Sequence, residues 1–344
     1  MRFEYYHAGL DDEPKLSVDG TVPNSLHFSH WQGNNTPASV KADTSTEIAL
    51  NLVGSSRMEE LTQGIELVTN NHFDTDGVLS VWTVLTGERA LDLRRELVAA
   101  AENGDFSEYT TENAVRANIA IQGSEQPDPN ERTISPLAGY LAGEAVTDEA
   151  HAYRLVLPEV ERLLTRTGDY EPLWRDGWQR VADALESFAR GESVVEEQPD
   201  VSLSVVTLAP ALFGATGFDP ARHAAPFTAI TRHARGQLYL IAMRARDGWA
   251  YRIDYPYYSW AETVVRPRIE RRDFAPLVAL LDDAEKNRTG RWKLDASELT
   301  SAVKFADEGG QLAASSLAPD EVARQVRAVL QRETEAAVST APRS

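Results

Sequence analysis

The chain has 344 residues, a formal charge of −19 at pH 7 and 42% hydrophobic residues, a composition typical of a globular protein and too apolar for a disordered one. It contains no cysteine, which excludes disulfides, thiolate metal sites and cysteine nucleophiles. The acidic balance argues against binding along a nucleic-acid backbone. The first residues lack the basic start and the apolar segment of a secretory leader, and no apolar run is long enough to span a membrane. The sequence therefore predicts a cytoplasmic protein without a membrane partner.

Residues 1–45 are polar and rich in turn formers, which predicts an irregular segment. Within it, residues 27–37 (HFSHWQGNNTP) combine two histidines, a tryptophan and amide side chains. Such residues are costly in a loop unless they pack or bind. His30 is therefore a candidate catalytic residue, as an acid or a substrate ligand, and Asn34 is a candidate substrate-binding residue. The alternative is that Trp31 fills a core and His30 only accompanies it.

The rest of the first half predicts an α/β domain over residues 1–190, with a parallel sheet as its core and many helices. A short buried strand is expected at residues 64–71 and a second at 117–121. The expected helices begin at the capping sequence of residues 43–47 and continue at 77–85, 88–103, 147–166 and 172–190. Gly104 is expected to end the third of these helices.

Residues 191–200 (GESVVEEQPD) are polar and acidic, which predicts a linker. Residues 201–344 are then expected to form a smaller α+β domain that binds the substrate. The strands expected there lie at residues 201–208, 237–244, 249–254, 291–294 and 301–305, and the helices at 272–286 and 319–337. The second and third of these strands are expected to form a hairpin.

One motif carries most of the chemistry. In HFDTDG, which follows the strand expected at 64–71, the side chains of His72, Asp74 and Asp76 alternate along the chain, and on extended backbone alternate side chains point the same way. One imidazole and two carboxylates suit Mn²⁺, Mg²⁺ or Fe²⁺. The sequence therefore predicts a divalent-metal site at this strand end. The alternative is that the two aspartates cap a turn and His72 is incidental.

HFDTDGVLS resembles the first motif of the DHH phosphoesterase superfamily, which is a strand followed by His/Asp-x-Asp-x-Asp-Gly/Ala and a helix with a small residue near its start. The resemblance implies a two-metal manganese site in which His72 and Asp74 bind one ion and Asp76 binds the other, with Ser80 as the small helix residue. It also implies an N-terminal α/β domain, a linker and a smaller C-terminal domain. The Asp-His-His tripeptide of that superfamily is absent from this sequence.

Further site residues must come from other segments. Asp105, expected just past a helix that packs beside the motif, is a candidate extra or bridging ligand, and the alternative is an ordinary turn aspartate. Residues 255–260 (YPYYSW) are dense in aromatic rings, and Arg266 and Arg268 follow. Stacking and charge could hold a nucleobase and a phosphate there, so Trp260 and Arg266 are candidate substrate-binding residues. The alternative is a small aromatic core with solvated arginines.

The sequence predicts a metal-dependent phosphoesterase that acts on a small phosphate ester or nucleotide with one or two Mn²⁺ (or Mg²⁺ or Fe²⁺) ions. One alternative is a phosphatase similar to the haloacid dehalogenases, whose Asp-x-Asp-Gly motif FDTDGVL also resembles, with Asp74 as the nucleophile and Asp76 as the acid/base. A second alternative is a regulatory protein that binds a nucleotide or metal without catalysis. The expected partner is a small phosphorylated molecule, and a homodimer is left open.

Overall fold

A computed structural model describes residues 1–127, 130–213, 226–245, 247–295 and 300–340. Helices combine with a parallel and a mixed sheet, so the predicted α/β class is confirmed. The chain divides into two compact units, residues 1–179 with 260–268 and residues 180–259 with 269–344. No helix in the described part of the chain is long and apolar enough to cross a membrane.

The sheet of the first unit has four parallel strands in the order β1-β4-β2-β3. They are β1 (Arg2–Phe3), β2 (Lys15–Val18), β3 (Ser25–Phe28) and β4 (Leu67–Thr69). Three of the four lie within residues 1–45, so the prediction of an irregular segment there was wrong. The strands are only two to four residues long, and the first three lie among turn formers. All four residues of β2 are buried, including Lys15, whose ammonium donates to the carbonyl oxygen of Leu10 at 2.8 Å.

Helices account for most of the remaining first unit, and the unit boundary falls within the last of them. They are α1 (Ser45–Val53), α2 (Met58–Leu61), α3 (Thr75–Thr86), α4 (Arg94–Phe106), α5 (Glu112–Gln122), α6 (Pro136–Ala142), α7 (Glu149–Val156), α8 (Val160–Thr165) and α9 (Glu171–Ala189). Short 3-10 helices lie at Ala8–Leu10, Gly87–Leu93, Leu157–Glu159 and Thr167–Tyr170.

Two sequence predictions in this region were wrong. Residues 117–121 are part of α5, which is capped by the Thr111 side chain; the run was too short for its apolar pattern to separate a buried helix from a strand. Gly104 lies inside α4, which ends at Phe106, and Ser107 adopts the left-handed conformation (φ 50°) that was expected of the glycine. Asp105 is therefore a helical residue and not a turn residue.

The second unit contains a six-stranded mixed sheet in the order β5-β6-β7-β8-β10-β9, with β6 and β7 parallel and the other neighbours antiparallel. Its strands are β5 (Val194–Gln198), β6 (Leu203–Leu208), β7 (Leu238–Ala245), β8 (Gly248–Asp254), β9 (Arg291–Leu294) and β10 (Ser301–Ala306). Its helices are α10 (Phe227–Thr231), α11 (Ala275–Ala284) and α12 (Pro319–Thr340), with 3-10 turns at Pro199–Val201 and Pro210–Phe213. A further 3-10 turn, Tyr257–Trp260, spans the boundary at which the chain returns to the first unit.

The residues predicted as a linker at 191–200 contain the edge strand β5, which pairs antiparallel with β6. Its exposed, acidic side chains give an edge strand the composition of a linker. The predicted boundary at residue 190 is therefore displaced, and residues 260–268 return to the first unit. The predicted hairpin is confirmed as the antiparallel pair β7–β8.

Alternate residues of the second sheet enter two cores on its opposite faces. Leu203 and Val205 of β6 pack in a core with α11 and α12. Val206 and Leu208 pack in another core, which includes Ala184 of α9 and residues of α10. The period of two along β6 explains how one strand serves both cores.

Candidate metal centre

Polar side chains follow three of the parallel strands of the first unit. Asp19 comes directly after β2, His30 comes two residues after β3, and residues 72–76 follow β4. The carboxyl ends of parallel strands meet at one edge of a sheet, where α/β proteins bind ligands. The last turn of α4 adds Asp105. These side chains form two groups that could each hold a metal ion.

The inner group consists of Asp19, His30, Asp76 and Asp105, with one potential ligand atom from each, all within 4.8 Å of one another. The Nε2 atom of His30 lies 3.0 Å from Asp105 Oδ2, 3.5 Å from Asp19 Oδ1 and 3.8 Å from Asp76 Oδ2. The side chains of His30 and Asp19 are completely buried, and that of Asp105 is 5% exposed. The group is therefore closed to solvent.

The orientation of His30 places a buried imidazole nitrogen against the carboxylates of this group. Its Nδ1 atom lies 2.7 Å from the carbonyl oxygen of Asp43, which can only accept, so Nδ1 carries a proton. In the neutral imidazole, Nε2 then has a free lone pair, and this buried atom has no hydrogen-bond partner of suitable geometry in the described structure. A lone pair that faces three carboxylates requires a proton or a metal ion. A carbonyl on the far nitrogen is also the usual way in which a metal-binding histidine is held.

The outer group consists of Asp19, His72 and Asp74. The Nε2 atom of His72 lies 3.1 Å from Asp19 Oδ2 and 3.0 Å from Asp74 Oδ2. The side chains of His72 and Asp74 are 27% and 23% exposed, so this group is partly accessible to solvent. The hydroxyl of Tyr153 donates to the carbonyl oxygen of His72 at 3.0 Å. Asp74 is the N-cap of α3, and its Oδ1 accepts from the Gly77 amide at 2.7 Å.

Asp19 belongs to both groups because its Oδ1 faces His30 and its Oδ2 faces His72. The Ser45 hydroxyl donates to Oδ1 at 2.8 Å and fixes that oxygen. One carboxylate that presents an oxygen to each of two ligand sets has the arrangement of a bridging ligand. Such bridges occur where two ions lie about 3.5–4 Å apart.

Neighbouring helices orient the two remaining inner aspartates. Asp76 lies in the first turn of α3, and its two carboxylate oxygens accept from the Ser45 and Thr46 amides at the start of α1, each at 2.7 Å. Gly104 allows α4 to pack closely on α3, and this close packing brings Asp105 near the other residues of the inner group. A Cβ at Gly104 would lie only 2.8 Å from the Cβ of Thr75 in α3. Close packing of α4 on α3 therefore depends on the absence of a side chain there.

The electrostatics of the cluster are unfavourable without a cation. Burial, together with the charges of Asp74 and Asp76, raises the pKa values of Asp19 and Asp105 well above the usual range, and burial also raises the pKa of Asp76. Burial opposes protonation of His72, but the neighbouring Asp74 and Asp19 outweigh it and raise the pKa to about 12. Each shift shows the site favouring added positive charge over bare carboxylates.

The predicted ligands His72, Asp74 and Asp76 do not converge on one point. Asp76 is helical, so the alternation of extended backbone ends before it, and it turns to the inner group while His72 and Asp74 join the outer group. Gly77 lies within α3, where a Cβ would come 2.6 Å from Asn70 Nδ2.

The other predicted site residues have protein partners. His30, expected as an acid or substrate ligand, is buried among the inner ligands. Asn34 donates to Glu262 Oε2 at 2.8 Å, and Arg266 binds three carboxylates. The ring of Trp260 lies edge-on to His30 with 5.0 Å between centroids. Asn34, Trp260 and Arg266 thus each contact residues far away along the chain, and their contact with a substrate stays a prediction.

Sequence reasoning missed Asp19. The available signal was the short apolar run Leu16-Ser17-Val18 followed by Asp19-Gly20, which has the form of a strand that ends in a polar turn. The segment was instead interpreted as irregular throughout.

Comparisons with known proteins add a family without an assigned activity. No curated protein and no solved structure matches the chain. The model of a family described as a family of unknown function (DUF6687) matches residues 2–341. The chain therefore belongs to this family.

Proposed function

We propose that the protein is a phosphoesterase that depends on two divalent metal ions, is related to the DHH superfamily and acts on a small phosphate ester. The observation that carries the proposal is the Asp19 carboxylate, which the buried inner group and the open outer group share. Ligand sets of imidazole and carboxylate favour Mn²⁺ or Fe²⁺, with Mg²⁺ as a harder alternative.

The residues of the two groups have different tasks in this proposal. Asp19, His30, Asp76 and Asp105 would hold one ion out of contact with water, while His72, Asp74 and the second oxygen of Asp19 would hold the other at an accessible surface. When bound, such a pair of ions supplies a clamp for the phosphate group and a lowered pKa for a water molecule. The outer group has few protein ligands and is partly exposed, so it is the side on which a substrate phosphate would bind.

The phosphatase mechanism with Asp74 as nucleophile is less well supported. One oxygen of Asp74 caps α3, and the other lies 3.0 Å from His72, an imidazole for which the aspartyl-phosphate mechanism has no role. Asp76 would be the acid/base, yet it is fully buried and both of its oxygens accept backbone amides. A regulatory protein that binds metal without catalysis has the same ligand requirements, and only turnover separates it from the proposed enzyme.

The test is the metal content and phosphatase activity of the wild type beside Asp19→Asn and Asp169→Asn. Asparagine tolerates the left-handed backbone of Asp19, and Asp169 is a matched control in an exposed ion pair with Arg162. After incubation with Mn²⁺ and dialysis, the wild type and the control should retain about two ions per chain and hydrolyse aryl phosphate mono- or diesters. Asp19→Asn should lose both ions and the activity.

The other outcomes separate the alternatives. One labile Mg²⁺ that depends on Asp74 but not on Asp19 would favour the aspartyl-phosphate mechanism. Two ions without turnover of any ester in a broad panel would favour the regulatory protein. A wild type that retains no metal would refute the proposal.

A further inference from the structure

Residues 260–268, here called the brace, lie against the buried ligand His30, although they are about 230 residues away along the chain. The Glu262 amide donates to the carbonyl oxygen of His30 at 2.7 Å. The ring of Trp260 packs edge-on to the imidazole with 5.0 Å between centroids. The brace thus contacts both the backbone and the ring of a candidate ligand.

Asp43 connects the brace to the far nitrogen of the same imidazole. Its carbonyl oxygen accepts from His30 Nδ1 at 2.7 Å. Its carboxylate accepts from three successive brace amides, those of Val264, Val265 and Arg266, the last two at 2.8 and 3.0 Å. The group that fixes the His30 tautomer is therefore itself fixed by the brace.

The guanidinium of Arg266 extends this connection to a second inner ligand. It donates to Asp43 Oδ2 at 2.8 Å, to Glu102 Oε1 at 2.7 Å and to Glu108 Oε1 at 2.9 Å. Along the chain, Glu102 precedes Asp105 within α4, and Glu108 follows Asp105 just beyond the end of that helix. The Arg266 side chain, which is only 16% exposed, thus links Asp43, the hydrogen-bond partner of His30, to the end of α4, where Asp105 lies.

We propose that the brace is a positioning element of the metal centre and that Arg266 is a positioning residue, which sets His30 against Asp105 and thereby the affinity for the inner ion. This rests on the proposed two-metal centre. Groups that orient metal ligands change affinity by about 10–100-fold when they are removed. The outer ligands have other supports, since Tyr153 holds His72 and α3 holds Asp74. The effect of Arg266 should therefore be confined to the inner position.

Two backgrounds allow each position to be measured alone. His72→Ala removes a ligand of the outer position, so that only the inner position binds metal. Asp105→Asn removes a ligand of the inner position, so that only the outer position binds metal. Arg266→Gln is added to each, and the Kd for Mn²⁺ is measured by titration calorimetry on metal-free protein. We expect binding about 10–100-fold weaker in the His72→Ala background and nearly unchanged in the Asp105→Asn background. The matched control is Arg162→Gln, which removes an arginine that contacts two carboxylates at an exposed position.

The outcomes decide the proposal in either direction. The role of Arg266 would be overturned, and the metal centre would stand, if Arg266→Gln weakened Mn²⁺ binding equally in both backgrounds. The same conclusion would follow if Arg266→Gln did not weaken Mn²⁺ binding in the His72→Ala background. A wild type that binds no Mn²⁺ would overturn the metal centre and the brace together. If the Arg266→Gln protein does not fold, Glu108→Gln can be used instead, because it removes one of the three carboxylate partners of Arg266. The proposal then requires that Glu108→Gln weaken Mn²⁺ binding at the inner position only.

Discussion

Asp19 adopts a left-handed backbone conformation with φ of 50°, which is uncommon outside glycine, asparagine and aspartate. Such strain costs about 1–3 kcal/mol and persists where the surrounding structure fixes it. Here the conformation turns the carboxylate between His30 and His72. The residue that joins the two candidate ligand groups is thus itself held in a left-handed backbone conformation.

The exposure of individual ligands predicts the order in which metal is removed. The inner side chains His30, Asp76 and Asp105 are 0–5% exposed, whereas His72 and Asp74 are 27% and 23% exposed. In the Mn²⁺-loaded protein, an excess of chromogenic chelator should release metal in a fast and a slow phase of equal amplitude. His72→Ala should lack the fast phase. A single phase in the wild type would contradict the assignment of an open and a closed position.

At the scale of elements, the contact between α3 and α4 positions Asp105, and Gly104 permits it. Alanine in place of a helical glycine usually stabilises by about 1 kcal/mol, but here its Cβ would meet Thr75. We expect Gly104→Ala to cost about 1–3 kcal/mol in urea unfolding and to weaken Mn²⁺ binding at the inner position.

Gly168→Ala is the matched control, because a Cβ at Gly168 meets nothing within 4 Å. It should change the free energy of unfolding by less than about 0.5 kcal/mol and leave Mn²⁺ affinity unaltered. A Gly104→Ala protein as stable as the wild type, with unchanged affinity, would show that α4 does not need this close approach.

The sequence predicted those parts of the site that are local in the chain. His72, Asp74 and Asp76 could be found because the motif lies within five residues, and α3 because its cap and apolar run are adjacent. The strands before Asp19 and His30 were missed because each is only four residues long and lies among turn formers. The role of Arg266 could not be foreseen, since its partners are more than 150 residues away.

At the scale of the whole molecule, a chain with a formal charge of −19 buries several carboxylates in one place. Burial raises the pKa values of Asp19, Asp76 and Asp105, so above the ordinary carboxyl pKa the folded state binds more protons than the unfolded state. The free energy of unfolding must then fall as pH rises through the raised values. His72 acts in the same direction, since its contribution is complete below its ordinary pKa of about 6.5 and is lost as pH rises towards about 12.

Without metal, the urea midpoint of the protein should therefore decrease from pH 5 to pH 8. Asp74 does not reverse this trend, because its pKa is lowered and its effect lies below the ordinary carboxyl range. Divalent ions replace the protons, so the gap between midpoints measured in Mn²⁺ and in EDTA should widen as pH rises. The Asp105→Asn protein in EDTA should show a shallower decrease, which separates the cluster from the general acidity of the chain. A midpoint in EDTA that stays constant or rises over this range would mean that the buried carboxylates are already compensated without metal, and the electrostatic argument for the centre would fail.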